Sequence, residues 1–443
     1  IAIRAHAQAA RGPNVLFLAI DDLRDWVGYL GHNPQTKTPN LDRLAARGQW
    51  FSRPYCAAPV CNASRAALMS GLRPSTTGVY ENNNDWRTVV PMDKPLTAAF
   101  RRAGYTVRGS GKIYHEAYAR RAEWDDYLVS EGTSPPPPKN PGVGGIRFGA
   151  VDCRDEDLPD SRIVDYGIEQ LRARHDKPLF LGVGLHKPHM PWYVPRKWFD
   201  LHPLEQIELP PHRDDDLADV PPAGVRMARP QTDHARIVAS GRWKEAVQAY
   251  LATISYCDHQ VGRLLDAFDQ SAYRDNTMIC FWSDHGWHLG EKLHWRKFAL
   301  WEEATRSPHI WVVPGVTQPN ARCDQPVDFM SIYPTLCELT DIKTPAHVEG
   351  QSLLPLLRNP AAGWERPALT TYTYRNHAVR SAGWRYIRYA NGDEELYDEA
   401  ADPNEWTNLA GRPEHAARRA ELARWLPTKD APDIGGHKGQ GAE

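Results

Sequence analysis

Four short apolar runs each stop abruptly at side chains that bind metals or move protons, and this recurrence restricts the fold of the chain more than any other feature. Val15 to Ile20 runs into Asp21-Asp22, and Tyr105 to Ser110 into Gly111-Lys112 with His115 close behind. Leu179 to Leu185 runs into His186-Lys187-Pro188-His189, and Met278 to Ser283 into Asp284-His285. Short β-rich runs separated by stretches of helical spacing imply a parallel α/β sheet, whose ligands gather beyond the carboxyl ends of its strands. The expected fold is therefore α/β, a large mixed but mostly parallel sheet flanked by helices, with four strand ends converging on one pocket. A fifth element, Cys61-Asn62-Ala63-Ser64-Arg65, precedes the helix-like stretch Ala66 to Met69 and brings a sulfur nucleophile to a positive helix end.

Bulk composition excludes several classes. With 53 Lys plus Arg against 55 Asp plus Glu, the formal charge of −2 gives no reason to expect nucleic acid or an anionic membrane as partner. No apolar stretch approaches the roughly 20 residues a membrane span requires. The seven cysteines have no framework spacing and no CxxC pair, which argues against disulfides and structural zinc. Ala5-His6-Ala7-Gln8-Ala9-Ala10 resembles the small-residue end of a secretory signal, so a periplasmic or secreted protein is expected.

Along the chain, Thr38 to Ala45 reads as a helix closed by Gly48, and the Pro- and Gly-rich stretches 130–149 and 202–231 read as surface loops beside a pocket mouth. Lys244 to Phe268 has helical spacing, with Asp258 and His259 expected to face solvent. Beyond about residue 360 the pattern changes to short alternating runs with a turn at Asn391-Gly392-Asp393, which implies a small antiparallel sheet. The expected organisation is a catalytic domain over 12–360, a C-terminal subdomain over 361–431 and a disordered tail over 432–443.

Asp21, Asp22, Asp284 and His285 together offer hard oxygen donors and one imidazole, a set suited to a single Ca²⁺ or Mg²⁺. Arg65, Lys112 and Lys297 bring cations to the same place, as an anionic substrate would require. A metal ion among several cations describes a site for a sulfate or phosphate ester. Trp86-Arg87, Trp192, Trp295 and Trp384-Arg385 are candidates for stacking a sugar ring beside a sulfate-binding cation.

These residues resemble the type I formylglycine-dependent sulfatases of the alkaline-phosphatase-like superfamily. The resemblance rests on Asn14 to Asp22, Thr38-Pro39-Asn40-Leu41-Asp42-Arg43-Leu44, Cys61 to Arg65 and Gly111-Lys112. It extends through Glu395-Leu396-Tyr397-Asp398 with Asp402-Pro403. His186-Lys187-Pro188-His189-Met190-Pro191, Ser283 to Trp287 and Gly111 to His115 are most similar to the iduronate-2-sulfatase branch. The resemblance implies that Cys61 is oxidised to formylglycine by a formylglycine-generating maturation enzyme, and that the aldehyde hydrate attacks sulfur. The sulfated intermediate can then expel sulfate by breaking its own C–O bond. It implies Ca²⁺ held by Asp21, Asp22, Asp284, His285 and residue 61, and a sulfated carbohydrate as substrate. Arg65 would polarise the hydrate, Lys112 and His115 would stabilise and deprotonate it, and Lys297 would bind sulfate. His189 would protonate the leaving alcohol, with His186 open for the same role; His186, Trp86 and Arg87 are further substrate-binding candidates. Position 63 is Ala where the family motif has Pro, which makes conversion of Cys61 the step to test. Two alternatives stand beside this reading: a phosphonate or phosphate diester hydrolase on the same scaffold, and a non-catalytic sulfated-glycan binder in which Cys61 stays a thiol.

Overall fold

The computed structural model describes residues 12–115, 118–129 and 135–435; the export-like residues 5–10 lie outside them. Eight strands form the central sheet: Asn14–Asp21 (β1), Gln49–Phe51 (β2), Thr106–Gly111 (β3), Asp126–Leu128 (β4), Leu179–Pro188 (β5), Thr277–Ser283 (β6), His309–Val312 (β7) and Ala321–Cys323 (β8). Their spatial order is β8-β2-β7-β6-β1-β5-β3-β4. β1 lies between β5 and β6, parallel to both, and β3 continues the parallel set on β5. β7 runs antiparallel to β6 and β2, so the sheet is mixed but mostly parallel. The order β6-β1-β5-β3 sets the four strands with chemistry at their ends side by side.

The helices that matter for the site are Pro39–Arg47 (α1), Cys61–Ser70 (α2), Pro159–Arg172 (α3), Pro222–Ala228 (α4) and Trp243–Asp269 (α5). Every residue of β1 is buried, as a strand covered on both faces must be. Leu16, Leu18 and Ile20 point into one core with residues of α3 and α5. Val15, Phe17 and Ala19 alternate into the other, with Leu68 and Met69 of α2. Each large apolar side chain so buried contributes about 1.5–3 kcal/mol. Ala368–Thr371 (β9), His377–Arg380 (β10), Trp384–Arg388 (β11) and Glu394–Asp398 (β12) form a separate antiparallel meander, and Gly392 at φ +89 turns β11 into β12. No described helix is long and apolar enough to cross a membrane.

Several expectations are corrected. Asp258 does not face solvent: it is 2% exposed and accepts the backbone N–H groups of Asn40 and Leu41, satisfying donors at the start of α1. Cys61 is the first residue of its helix and does not merely precede one. Residues 432–435 at the start of the expected tail are tied down, since Ile434 N–H donates to Gly78 O at 3.1 Å and Asp433 accepts from the Asn84 amide at 3.0 Å, while residues 436–443 lie outside the described residues. Trp86 is not a sugar platform. It is 1% exposed, stacks on Tyr114 at 4.8 Å and carries the Arg120 guanidinium 4.5 Å from its ring centroid, so both faces are taken. Trp192 and Trp295 are core residues as well, and Arg385 is buried among glutamates.

Candidate active site

β1 ends with its last residues turned sharply into the pocket. Its pairing with β5 shifts after Ile20, so that Asp21 lies opposite Pro188, and Asp22 takes a left-handed φ of +59. That conformation costs a non-glycine residue about 1–2 kcal/mol. It is fixed from both sides: Asp22 N–H donates to Asp284 Oδ1 at 3.0 Å, and the Tyr250 hydroxyl of α5 donates to Asp22 O at 2.7 Å. The same hydroxyl accepts Arg24 N–H, and Ser283 Oγ accepts Leu23 N–H.

The amino end of α2 faces this turn. Arg65 is fully buried and donates to Asp284 Oδ2 at 2.8 Å, to Asp21 Oδ1 at 3.1 Å and to the Lys112 carbonyl. Ser64 Oγ donates to Asp284 O at 2.6 Å. One helix turn therefore locks β1, β3 and β6 together. It also presents the Cys61 sulfur 2.8 Å from Lys297 Nζ, 3.3 Å from His285 Nε2 and 3.6 Å from Asp22 Oδ1. Burial pushes the Cys61 thiol well up, against the pull of Lys112 and Lys297, so an unmodified Cys61 is held neutral.

The donor set fits a divalent cation. Asp22, Cys61, Asp284 and His285 each offer a ligand atom within 4.8 Å of the others, and Asp21, Asp22, Cys61 and His189 form an overlapping group. Burial raises Asp284 against the pull of Arg65 and His285, and the Asp21 and Asp22 carboxylates add to the rise, as expected of three carboxylates enclosed together. His285 sets Nδ1 at 3.0 Å from Gly286 O, which fixes that nitrogen as the donor and leaves the Nε2 lone pair turned to the centre. Burial also lowers its pKa, so the ring is neutral, as a metal ligand must be.

Cations surround the rest. Lys112 Nζ lies 2.5 Å from Asp21 Oδ2, and Lys297 Nζ lies 3.0 Å from Asp22 Oδ1. Against the cost of burial, Lys112, His189 and Arg65 hold Asp21 well below the usual carboxylate range. His189 sets Nδ1 on Met190 O at 2.6 Å and Nε2 at 3.8 Å from Asp22 Oδ2. Burial is the largest effect and opposes its protonation, yet its pKa is raised overall, with the Asp22 carboxylate and then Asp21 favouring the charged ring. His186 takes the opposite course, pushed down to about 3 by burial and then by Lys112.

The structure thus brings Asp21, Asp22, Cys61, Arg65, Lys112, His189, Asp284, His285 and Lys297 to one centre, with His186 within electrostatic reach. His115 stands on the loop after β3 with its ring 6.1 Å from that of Tyr118. Arg87 is committed to Asp85 at 2.7 Å. The supports that sequence reasoning missed are Tyr250, Ser283, Asn62 and Asp160. Asn62 donates to the carbonyls of Glu81 and Asn84, which anchors the helix end that carries Cys61. Asp160 accepts the N–H groups of His186 and Lys187 at 2.8 and 2.9 Å. A Pro159-Asp160-Ser161 helix start was the available signal for Asp160; Tyr250 lies inside a regular helix pattern and gave none.

Comparison with known proteins gives concordant results. A family model described as Sulfatase matches residues 13–342, and one described as N-sulphoglucosamine sulphohydrolase, C-terminal, matches residues 290–431. A protein of Formosa agariphila named Sulfatase is 39% identical, covering 95% of this chain and 87% of its own length. The Homo sapiens Iduronate 2-sulfatase is 29% identical over 75% of this chain and 70% of its own. Among solved structures, the phosphonate monoester hydrolase of Agrobacterium radiobacter superposes with a TM-score of 0.80 at 22% identity, covering 93% of this chain and 94% of that one.

Proposed function

Because the chain belongs to the sulfatase family and is a sulfuric ester hydrolase, we propose that it removes a sulfate ester from a sulfated glycan or its oligosaccharide fragments. The observation that carries this reading is the Cys61 sulfur at the start of α2, 2.8 Å from an ammonium and within the same 4.8 Å group as Asp22, Asp284 and His285. Likeness to an iduronate sulfatase supports a sugar substrate, and a single cluster of three cations supports an anionic ester.

In this reading Asp21, Asp22, Asp284 and His285 would hold one divalent cation; the donors suit Ca²⁺ or Mg²⁺, and likeness to the family favours Ca²⁺. That ion supplies charge to orient and acidify a hydrated aldehyde at position 61, and formylglycine there supplies the nucleophilic oxygen. The chain's own residues do the rest. Lys112 and Lys297 bind the sulfate oxygens and stabilise the negative charge that grows on them. Arg65 holds residue 61 in line by fixing α2 to both metal-binding strand ends. His189, its pKa raised beside Asp22, is the group that would protonate the departing sugar oxygen. His186, held neutral, serves as a hydrogen-bonding group at the pocket wall. His115 is assigned the neighbouring proton-relay role on the β3 loop. A formylglycine-generating enzyme is the implied maturation partner, and Cys61 is 0% exposed in the folded chain, so conversion belongs before folding is complete.

The test is a mass spectrum of the tryptic peptide 48–65 from protein made with and without a formylglycine-generating partner. An aldehyde oxygen in place of sulfur at position 61, with sulfate released from a panel of sulfated oligosaccharides, is the expected result. A thiol under both conditions would instead leave a sulfated-glycan binder, whose affinity Cys61→Ala should not change.

A further inference from the structure

Lys297 is delivered by a loop whose backbone is held in a costly shape. Lys292, Leu293, Arg296 and Phe298 have φ of +54, +48, +80 and +70, each at a cost of about 1–2 kcal/mol for a residue with a side chain. Such strain persists only where the surroundings over-determine it, and it gathers at functional segments. Three fastenings lie on the outside of the loop: Lys292 Nζ on Asp216 at 2.8 Å, Arg296 Nε on Asp233 at 2.7 Å, and Phe298 N–H on Pro59 O at 3.2 Å. The fourth is internal. His294 is 4% exposed, with Nε2 2.6 Å from Lys297 O and Nδ1 2.8 Å from Ala228 O at the end of α4. Both partners are carbonyl oxygens, which only accept. A neutral ring would set one nitrogen lone pair against a carbonyl at hydrogen-bond distance, so both contacts are satisfied only when both nitrogens carry protons.

We propose that His294 is a positioning residue for Lys297: as a doubly donating imidazolium it ties the Lys297 carbonyl to α4 and so fixes the ammonium over position 61. The proposal rests on the reading of Lys297 as a sulfate-binding group. The charged and titratable groups that face the ring are Arg229 beyond α4, Asp233 and His234 on the following helix, and His288 with its ring 5.0 Å away. Arg229 opposes the imidazolium and Asp233 favours it. Burial is the largest effect and lowers the His294 pKa from its ordinary value against the two carbonyl hydrogen bonds, which raise it, so the clamp loosens as pH rises.

The pH profiles of kcat and KM for an aryl sulfate, measured on wild type, H294Q and K297A beside spectra of ¹⁵N-labelled histidine, test this. At the pH of maximal kcat/KM, one imidazole signal missing from H294Q should carry both N–H protons. H294Q should lower kcat/KM by about 10- to 100-fold and lack the fall of the wild-type profile at rising pH. A neutral His294 ring at that pH, or an H294Q profile of wild-type height and shape, overturns the proposal. If H294Q does not fold, R229Q removes a cation that opposes the imidazolium and should move the falling limb to higher pH; an unmoved limb overturns it equally. Full activity in K297A would defeat the reading of Lys297 itself, whereas a dead K297A beside an unaffected H294Q defeats this proposal alone.

Discussion

His186 and His189 lie three residues apart at one strand end and take opposite charge states. Burial and Lys112 keep His186 neutral, whereas Asp22 draws a proton onto His189. The difference separates two groups that sequence leaves interchangeable, and it makes a prediction about leaving groups. His189→Gln should cost about 10²–10⁴-fold in kcat on a sugar sulfate, whose alkoxide needs a proton, and far less on 4-nitrophenyl sulfate, whose phenolate leaves unaided. His186→Gln should show no such dependence on the leaving group; equal losses for the two substrates in His189→Gln would remove it from the acid role. Asp284 has three tasks, accepting Arg65 and Asp22 N–H while facing the candidate metal centre. Asp284→Ala and Asp21→Ala should each abolish turnover together with bound metal, measured by elemental analysis of purified protein. Full turnover without a bound ion would overturn the metal reading.

The elements were legible where their signal is local. β1, β3, β5 and β6 stand where apolar runs of strand length end in polar clusters, because two-sided burial forces a continuous apolar run and the strand end forces its stop. α1 and its Gly48 stop, the long helix α5 and the β11–β12 turn were equally readable from spacing and turn residues. What was not legible depends on partners remote in sequence. Asp258 looks like an ordinary exposed helix carboxylate until α1, 218 residues earlier, sets its N–H groups on it. Trp86 looks like a surface aromatic until Tyr114 and Arg120 close over both faces. The Gly111–Gly184 pairing between β3 and β5 is of the same kind. Gly184 has no unusual local role, yet a Cβ there would lie 2.4 Å from the Lys112 carbonyl, and Lys112 N–H donates to Gly184 O at 2.8 Å. Two glycines let these strands approach closely enough to aim Lys112 into the pocket. Gly184→Ala should therefore cost about 1–3 kcal/mol, as overpacking of a filled core does, and should reduce kcat in the protein that still folds. A melting temperature and turnover equal to wild type would show that β3 can shift without moving Lys112.

On the scale of the whole molecule, the C-terminal meander is joined to the catalytic sheet through buried charge. Arg380 and Arg385 of β10 and β11 are shared among Glu302, Glu399 and Glu405, with Arg306 also on Glu302 at 3.1 Å. Glu405 accepts Glu302 N–H at 3.0 Å, and Lys292, in the loop that carries Lys297, donates to the Glu405 carbonyl. The subdomain junction and the loop that carries Lys297 are thus one connected network. Burial pushes the Glu405 carboxyl up to about 7, against the pull of Arg385, from an ordinary value of 4.5. A carboxyl raised on folding binds more protons in the native state between those two values. Stability from this group is therefore full below about 4.5 and is lost as pH rises through about 7. Asp25 works in the other direction: burial raises it, but Arg306 and Arg24 hold it well below 3.8, so its contribution is present above that value and is lost on acidification. The two together place the stability maximum in weak acid. The melting temperature should fall between pH 5 and pH 8, and Glu405→Gln, which keeps the shape and removes the titration, should flatten that fall. A melting temperature that rises across this range, or a fall unchanged in Glu405→Gln, would place the pH-sensitive junction elsewhere in the molecule.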